Sequence, residues 1–304
     1  MHGKFVSDLG RKIAGNKIER QTSGDIVQFM SSSIYHFFKN LVENKDALKS
    51  IAKLDDFAFD ENLLSCKRGG QFPDLAIRIC KTEELFTGGE LVELKDSKSY
   101  TVSSFNSTIP TGKKEIAKVV KGKNSEVLRQ MIEAGDDVLT LPEREVFYLI
   151  RGRRKENCKI VLVHGSFFET IKVSELIAKS FSQVLRESME SGQAKFDDET
   201  RGVLETLFSE QTSFSKVRNV ENASVKLRFR IMTEVKAEGN ILNQKKYPQI
   251  LDNTLNFILP SHDEDEDHLN LDKMNVVFDD LNSFGIFHIK HHFNGNFIVF
   301  QQPI

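Results

Sequence analysis

Apolar residues recur at three- and four-residue spacing from Ser23 to about Asn44, where Ile26, Phe29, Met30, Ile34, Phe37, Phe38 and Leu41 form one stripe. That period predicts an amphipathic helix packed on a sheet. Along GGQFPDLAIRICKTEELFTGGELVELKDS the period changes from helical to alternating. Leu75, Ile77 and Ile79 fall on one face of a strand, and Asp74, Ala76, Arg78 and Cys80 on the other. Gly88-Gly89 predicts a turn, after which Val92 and Leu94 face one way and Leu91, Glu93, Lys95 and Ser97 the other. The pair reads as a hairpin with one apolar face and one face loaded with charge.

The hydroxyl-rich stretch SKSYTVSSFNSTIPTGKK predicts an ordered loop, and a broken helical pattern runs on to Ala134. VFYLIRGRRKENCKIVLVHG has two apolar runs around a basic turn, and VSELIAKSFSQVLRES is helical in period. Further on, the patterns predict a helix near Phe196 to Ser209, a strand through VKLRFRIMTEV and a short helix through ILDNTLNFIL. The acidic run His262 to His268 reads as a solvated loop, and Asn294-Gly295 between alternating strands as a type I′ hairpin. Strands alternating with helices predict an α/β fold, a central mixed β-sheet flanked by helices, with extra helices and a β-hairpin toward the C-terminus. No repeat or linker interrupts the chain, so a single domain over residues 1–304 is expected, with a core over about 23–190 and a C-terminal elaboration over about 191–304.

Composition narrows the class without fixing it. A chain of 304 residues with 39% hydrophobic and 28% charged residues can bury a substantial core. No stretch approaches the roughly 20 apolar residues of a membrane span, and the first residues lack the apolar core of a secretory signal, so a cytoplasmic location is expected. Cys66, Cys80 and Cys158 stand singly and read as small core residues. The net charge of -2 neither supports nor excludes nucleic acid, because a nuclease gathers carboxylates around metal while keeping a local basic face.

Asp74 and Glu93 on facing strands would present two carboxylates to one side of the sheet, where they suit a hard cation such as magnesium. Lys95 shares that face and would orient or deprotonate a water while offsetting phosphate charge. Pro73-Asp74 followed by Glu93-Leu94-Lys95 resembles the PD-(D/E)XK nuclease motif, whose members include most type II restriction endonucleases. The resemblance covers the first helix to about Gly165. It implies a restriction-endonuclease-like core, Asp74 and Glu93 as ligands of Mg2+, the Leu94 carbonyl as a further ligand and Lys95 as the catalytic lysine. Glu43 is the candidate for the helix glutamate that some members add.

Acid-x-Lys also occurs at Glu43-Asn44-Lys45, Asp96-Ser97-Lys98 and Glu234-Val235-Lys236, but only Glu93-Leu94-Lys95 follows a Pro-Asp strand and a glycine turn. Arg151, Arg153, Arg154 and Lys155, with Lys113, Lys114, Lys118, Lys121 and Lys123, are candidates to grip phosphates, or else solvated surface. Ser103, Ser104, Asn106, Ser107 and Thr108 are candidate donors to bases or backbone, or else a loop capped by its own hydroxyls. His288, Lys290 and His292 alternate along a strand without the further ligand that zinc requires. His164-Gly165-Ser166 lacks a Gly-x-Ser-x-Gly elbow and argues poorly for a serine hydrolase. The expected function is a magnesium-dependent type II restriction endonuclease acting on double-stranded DNA as a homodimer. A repair or recombination nuclease on the same core and a non-catalytic DNA-binding protein remain alternatives.

Overall fold

The computed structural model describes residues 34–304, apart from 69–71, 83–84, 103, 107–109, 121–125, 137, 139–140, 170–172, 193–196 and 210–231. The first helix is described from its second half, α1 (Ile34–Glu43), and its Ser23–Ser33 portion lies outside the described residues. In chain order there follow α2 (Lys45–Ser50), β1 (Leu64–Lys67), β2 (Leu75–Ile77), β3 (Ile79–Thr82), β4 (Leu85–Gly88), β5 (Leu91–Ser97), β6 (Ser104–Asn106), β7 (Lys113–Glu115), α3 (Ile116–Val119) and α4 (Glu126–Glu133). Next come β8 (Glu143–Arg154), β9 (Asn157–His164), α5 (Val173–Glu190), α6 (Asp198–Ser209), β10 (Met232–Glu234), β11 (Thr254–Pro260), α7 (Glu264–Val277), β12 (Gly285–His291) and β13 (Gly295–Pro303).

The architecture is α/β, with a large mixed sheet flanked by helices. Its strand order is β1-β2-β5-β8-β9-β11-β13-β12, with β7 also paired to β8. β5 runs parallel to β8 and β9 parallel to β11, and the other ladders of this sheet are antiparallel. One face carries Val92, Phe147, Leu149, Leu162, Leu255 and Phe257, all buried, and α1 packs there through Phe38, whose ring stacks 4.8 Å from that of Phe257. Helices α1 and α7 meet on this side. Arg151, wholly buried, donates to the carbonyls of Leu48 and Ile51 at 2.7 and 2.9 Å and to both oxygens of Asp96 at 3.0 and 2.6 Å.

The described residues fall into two compact units. One comprises the described residues up to Val102, with Thr111–Phe168 and Val235–Ile304, and holds the large sheet. The other comprises Ser103–Pro110 and Glu169–Glu234, in which β6 pairs with β10 and α5 packs on α6. The strand expected over 225–235 is described only as β10. The chain therefore divides at 102–111 and 168–235, and its last seventy residues build the main sheet through β11, β13 and β12. Among the described residues no helix is long and apolar enough to cross a membrane.

Four local expectations are corrected. Residues 79–88 form a hairpin of their own, β3 with β4, and β2 pairs with β5 only at Leu75–Val92 and Ala76–Leu91. Gly88 and Gly89, at φ +93° and +85°, carry the chain from that inserted hairpin into β5, a left-handed pair that glycine adopts without a Cβ clash. ILDNTLNFIL supplies strand β11, because a strand paired on both edges and buried on both faces has no clean alternation. The acidic run opens α7: Asp263 caps Glu266 N at 2.8 Å, and Glu264 to Asp267 occupy the first turn, where the helix dipole favours negative charge. In the β12–β13 hairpin His291 pairs with Gly295 across three residues, and the His291 imidazole Nδ1 accepts from Phe293 N and Asn294 N. Only Gly295 there has positive φ, so the hairpin stands and the type I′ turn does not.

Candidate active site

β2 and β5 set the geometry. Leu75 pairs with Val92 and Ala76 with Leu91, so the next pair in that antiparallel register is Asp74 and Glu93, whose side chains leave the sheet on one face. Asp74 is 7% exposed, and its Oδ2 accepts from Leu94 N at 2.8 Å. In an extended strand the N–H and C=O of one residue point to the same edge, so the Leu94 carbonyl also lies on the Asp74 side of β5. The backbone carbonyl of Asp74 accepts from Arg68 N at 2.6 Å, which fixes the strand end that presents the carboxylate.

Glu93 pairs with Tyr148 across the parallel β5–β8 ladder, and its Oε1 accepts from Lys95 Nζ at 2.8 Å. The Glu93 and Lys95 side chains are 14% and 24% exposed, placing the pair at the boundary of core and solvent. Glu93 Oε2 is buried with no hydrogen-bond partner among the described residues. A buried carboxylate oxygen without a donor is costly and acceptor-only, which suits a cation. Two carboxylates from adjacent strands thus share one face, with the Leu94 carbonyl on the edge of β5 that faces β2. Among the described residues no group of three or more His, Cys, Asp and Glu gathers to hold a metal, so any ion here would rest on this oxygen set. Burial, with the Glu93 charge second, pushes the Tyr148 phenol up, keeping it neutral beside the acid.

Lys114 was singled out as one of several basic residues, and the fold separates it from the rest. Its Nζ lies 4.2 Å above the ring of Phe72, two residues before Asp74. Burial pushes its ammonium down to about 8, against the upward pull of the Glu93 carboxylate. Nothing in the linear sequence distinguishes it from Lys113, which points the other way and binds Glu145 Oε1 at 3.0 Å. Tyr148 and Phe72 went unread because each is an ordinary apolar position until the strands pair.

Other expected site residues lie elsewhere. Glu43 is exposed at the end of α1, the helix that packs on the face opposite Glu93, and is not brought to the carboxylate pair. Asp96, also on that opposite face, is committed to Arg151, Arg153 and Leu54 N. Arg153 donates to Ala52 O at 3.1 Å and to Asp96 at 3.2 Å, while Arg154 is exposed. Lys118 pairs with Glu115 at 2.7 Å. Ser104 and Asn106 fall on β6, in the second unit, with their side chains outside the described residues. Ser103, Ser107, Thr108, Lys121 and Lys123 also lie outside them.

His164 presents a hydrolase-like chain of contacts, Ser166 Oγ to Nδ1 at 2.7 Å and Nε2 to Glu145 Oε2 at 2.8 Å. Gly112 lies over it, and a Cβ there would stand 3.0 Å from the imidazole Cε1 and 3.3 Å from Ser166 Cβ. Through Glu145 and Ser166 these contacts tie β8 to the end of β9. Compared with protein-family models, curated proteins and solved structures, the chain matches none.

Proposed function

We propose that the protein is a magnesium-dependent endonuclease of the PD-(D/E)XK type, cutting both strands of a specific double-stranded DNA site as a restriction enzyme does. The observation that carries this reading is the convergence of Asp74, Glu93 and the Leu94 carbonyl edge on one side of the sheet, with Lys95 at 2.8 Å from Glu93. The order of helix, acid-bearing strand, E-x-K strand and following strands is the second support.

Bound magnesium would supply a water of lowered pKa and charge to offset the phosphorane. Asp74 and Glu93 would hold it with the Leu94 carbonyl. The hydrogen bond from Leu94 N keeps the Asp74 carboxylate aimed at that edge, so little reorganisation is needed. Lys95, which donates to Glu93, would stand beside that pair to orient a water and face developing negative charge. Hydrolysis of both strands calls for two such sites, which a two-fold dimer on a palindromic sequence supplies.

The test is incubation of the purified protein with phage DNA and magnesium, followed by sequencing of the ends. Discrete fragments with one common end sequence are expected, and Lys95→Ala should slow turnover by at least about a hundredfold. The exposed Lys98, across the strand from Lys95, is the comparison, and Lys98→Ala should cut nearly normally. Intact DNA, or a fully active Lys95→Ala, defeats the reading. Structure-dependent nicking without a fixed sequence transfers it to a repair nuclease.

A further inference from the structure

Resting on the nuclease reading, we propose that Lys114 is a second cationic residue of the cleavage site and binds a non-bridging oxygen of the DNA phosphate presented to Asp74 and Glu93. The argument begins with the pairing of β7 and β8. Lys114 stands opposite Arg144, and along β8 Arg144, Val146 and Tyr148 alternate onto the face that carries Glu93. Antiparallel partners share a face, so Lys114 joins Glu93 there, while Lys113 pairs with Glu145 on the other side. The long side chain then reaches Phe72, whose ring it overlies at 4.2 Å.

Asp74 and Glu93 balance Lys95 and Lys114 in charge, so an ion held by the two carboxylates would leave this corner with a surplus of positive charge for an anion to meet. Lys95 is already paired with Glu93. Lys114 is half-buried, and among the described residues no carboxylate lies within ion-pair distance of it. An aromatic face attracts an ammonium but does not neutralise it. A phosphate arriving over the two carboxylates would be repelled by them unless a cation stood on its far side. Lys114 has the position and the uncommitted charge, and the Phe72 ring beneath its ammonium lies two residues before Asp74, which leads into β2.

The experiment uses a DNA fragment that the wild-type protein cuts, with turnover measured in magnesium and binding in calcium as a function of salt. Lys114→Ala is expected to lower turnover by about a hundredfold, as loss of one donor to a transition-state oxyanion does, and to flatten the salt slope by about 0.9. Lys114→Arg should recover much of the binding. Circular dichroism and a melt verify the fold. If Lys114→Ala does not fold, Lys114→Gln, which keeps the stem over Phe72 and drops the charge, takes its place with the same readings. Parental turnover in Lys114→Ala, with Asp74→Asn and Lys95→Ala inactive, overturns this assignment and leaves the nuclease reading standing. An equal loss in Lys113→Ala overturns it too, since the effect would then be general surface charge. A wild-type protein that leaves DNA intact in magnesium overturns both.

Discussion

Two acids three residues apart on β5 should respond to alanine in opposite ways. Asp96 accepts from Nε and Nη2 of Arg151 at 3.0 and 2.6 Å, and Arg151 is wholly buried. Asp96→Ala leaves that guanidinium with two main-chain carbonyls and no counter-charge. Breaking a fully buried pair costs about 3–5 kcal/mol. Asp96 is 20% exposed, so water relieves part of this and about 2–4 kcal/mol is expected. At about 2–4 °C per kcal/mol for a large domain, the melting midpoint should fall by roughly 4–16 °C. Glu93→Ala removes the acid from a pair that reaches solvent, where such pairs contribute up to about 1 kcal/mol, and it also empties an orphaned buried oxygen. Its midpoint should stay within about 2 °C of the parent while cleavage disappears. Thermal denaturation followed by circular dichroism and a DNA cleavage gel read both quantities on the same preparations. An Asp96→Ala protein that melts with the parent, or a Glu93→Ala protein as destabilised as Asp96→Ala, would refute the assignment of the two faces of β5.

Asp74→Asn keeps an acceptor for Leu94 N and loses the charge, so stability should change by less than about 1 kcal/mol while magnesium-dependent cleavage is lost and calcium-supported DNA binding persists. Arg154→Ala should flatten the salt dependence of DNA binding by about 0.9, whereas Arg153→Ala, already engaged with Asp96 and Ala52, should lower the melting point and leave the slope unchanged. Because burial holds the folded-state pKa of Lys114 at about 8, below its unfolded value of 10.5, the unfolded chain binds more protons between those limits. Stability attributable to this residue should therefore rise with pH across that window, by up to about 3 kcal/mol, and the rise should be absent from Lys114→Met, so that it appears as the difference between parent and variant in urea titrations.

What could be read from the residues was mainly what a single period encodes. The stripe of α1 and the alternation of Glu93 and Lys95 against Val92 and Leu94 survive in the fold because each has one apolar side and one polar side. β11 was illegible for the opposite reason: Leu255, Phe257 and Ile258 are all buried, and a strand covered on both faces looks like a helix segment. The run of acids before α7 carried a helix start that resembles a solvated loop until Asp263 is seen to cap it. Arg151 and Arg153 looked like phosphate grips because a linear sequence does not display Asp96 beside them. The same limit hid the contrast between Lys113 and Lys114, which depends on which face of β7 each occupies.

The two excursions of the chain into the second unit begin and end at shared places on the first. Asn240 donates to Tyr100 O at 3.0 Å and accepts from Val102 N at 3.3 Å, so the departure of the first excursion lies beside the return of the second. Thr111 passes so close to Gly165 that a Cβ on the glycine would strike the Thr111 carbonyl, which sets the return of the first against the departure of the second. Four peptide junctions are thus gathered into two fastened pairs. The inserted unit is in effect a cassette: segments 103–110 and 169–234 could be exchanged together for those of a related chain without cutting any strand of the large sheet. Asn240 and Gly165 would have to be kept, because they are the seams along which the exchange is made.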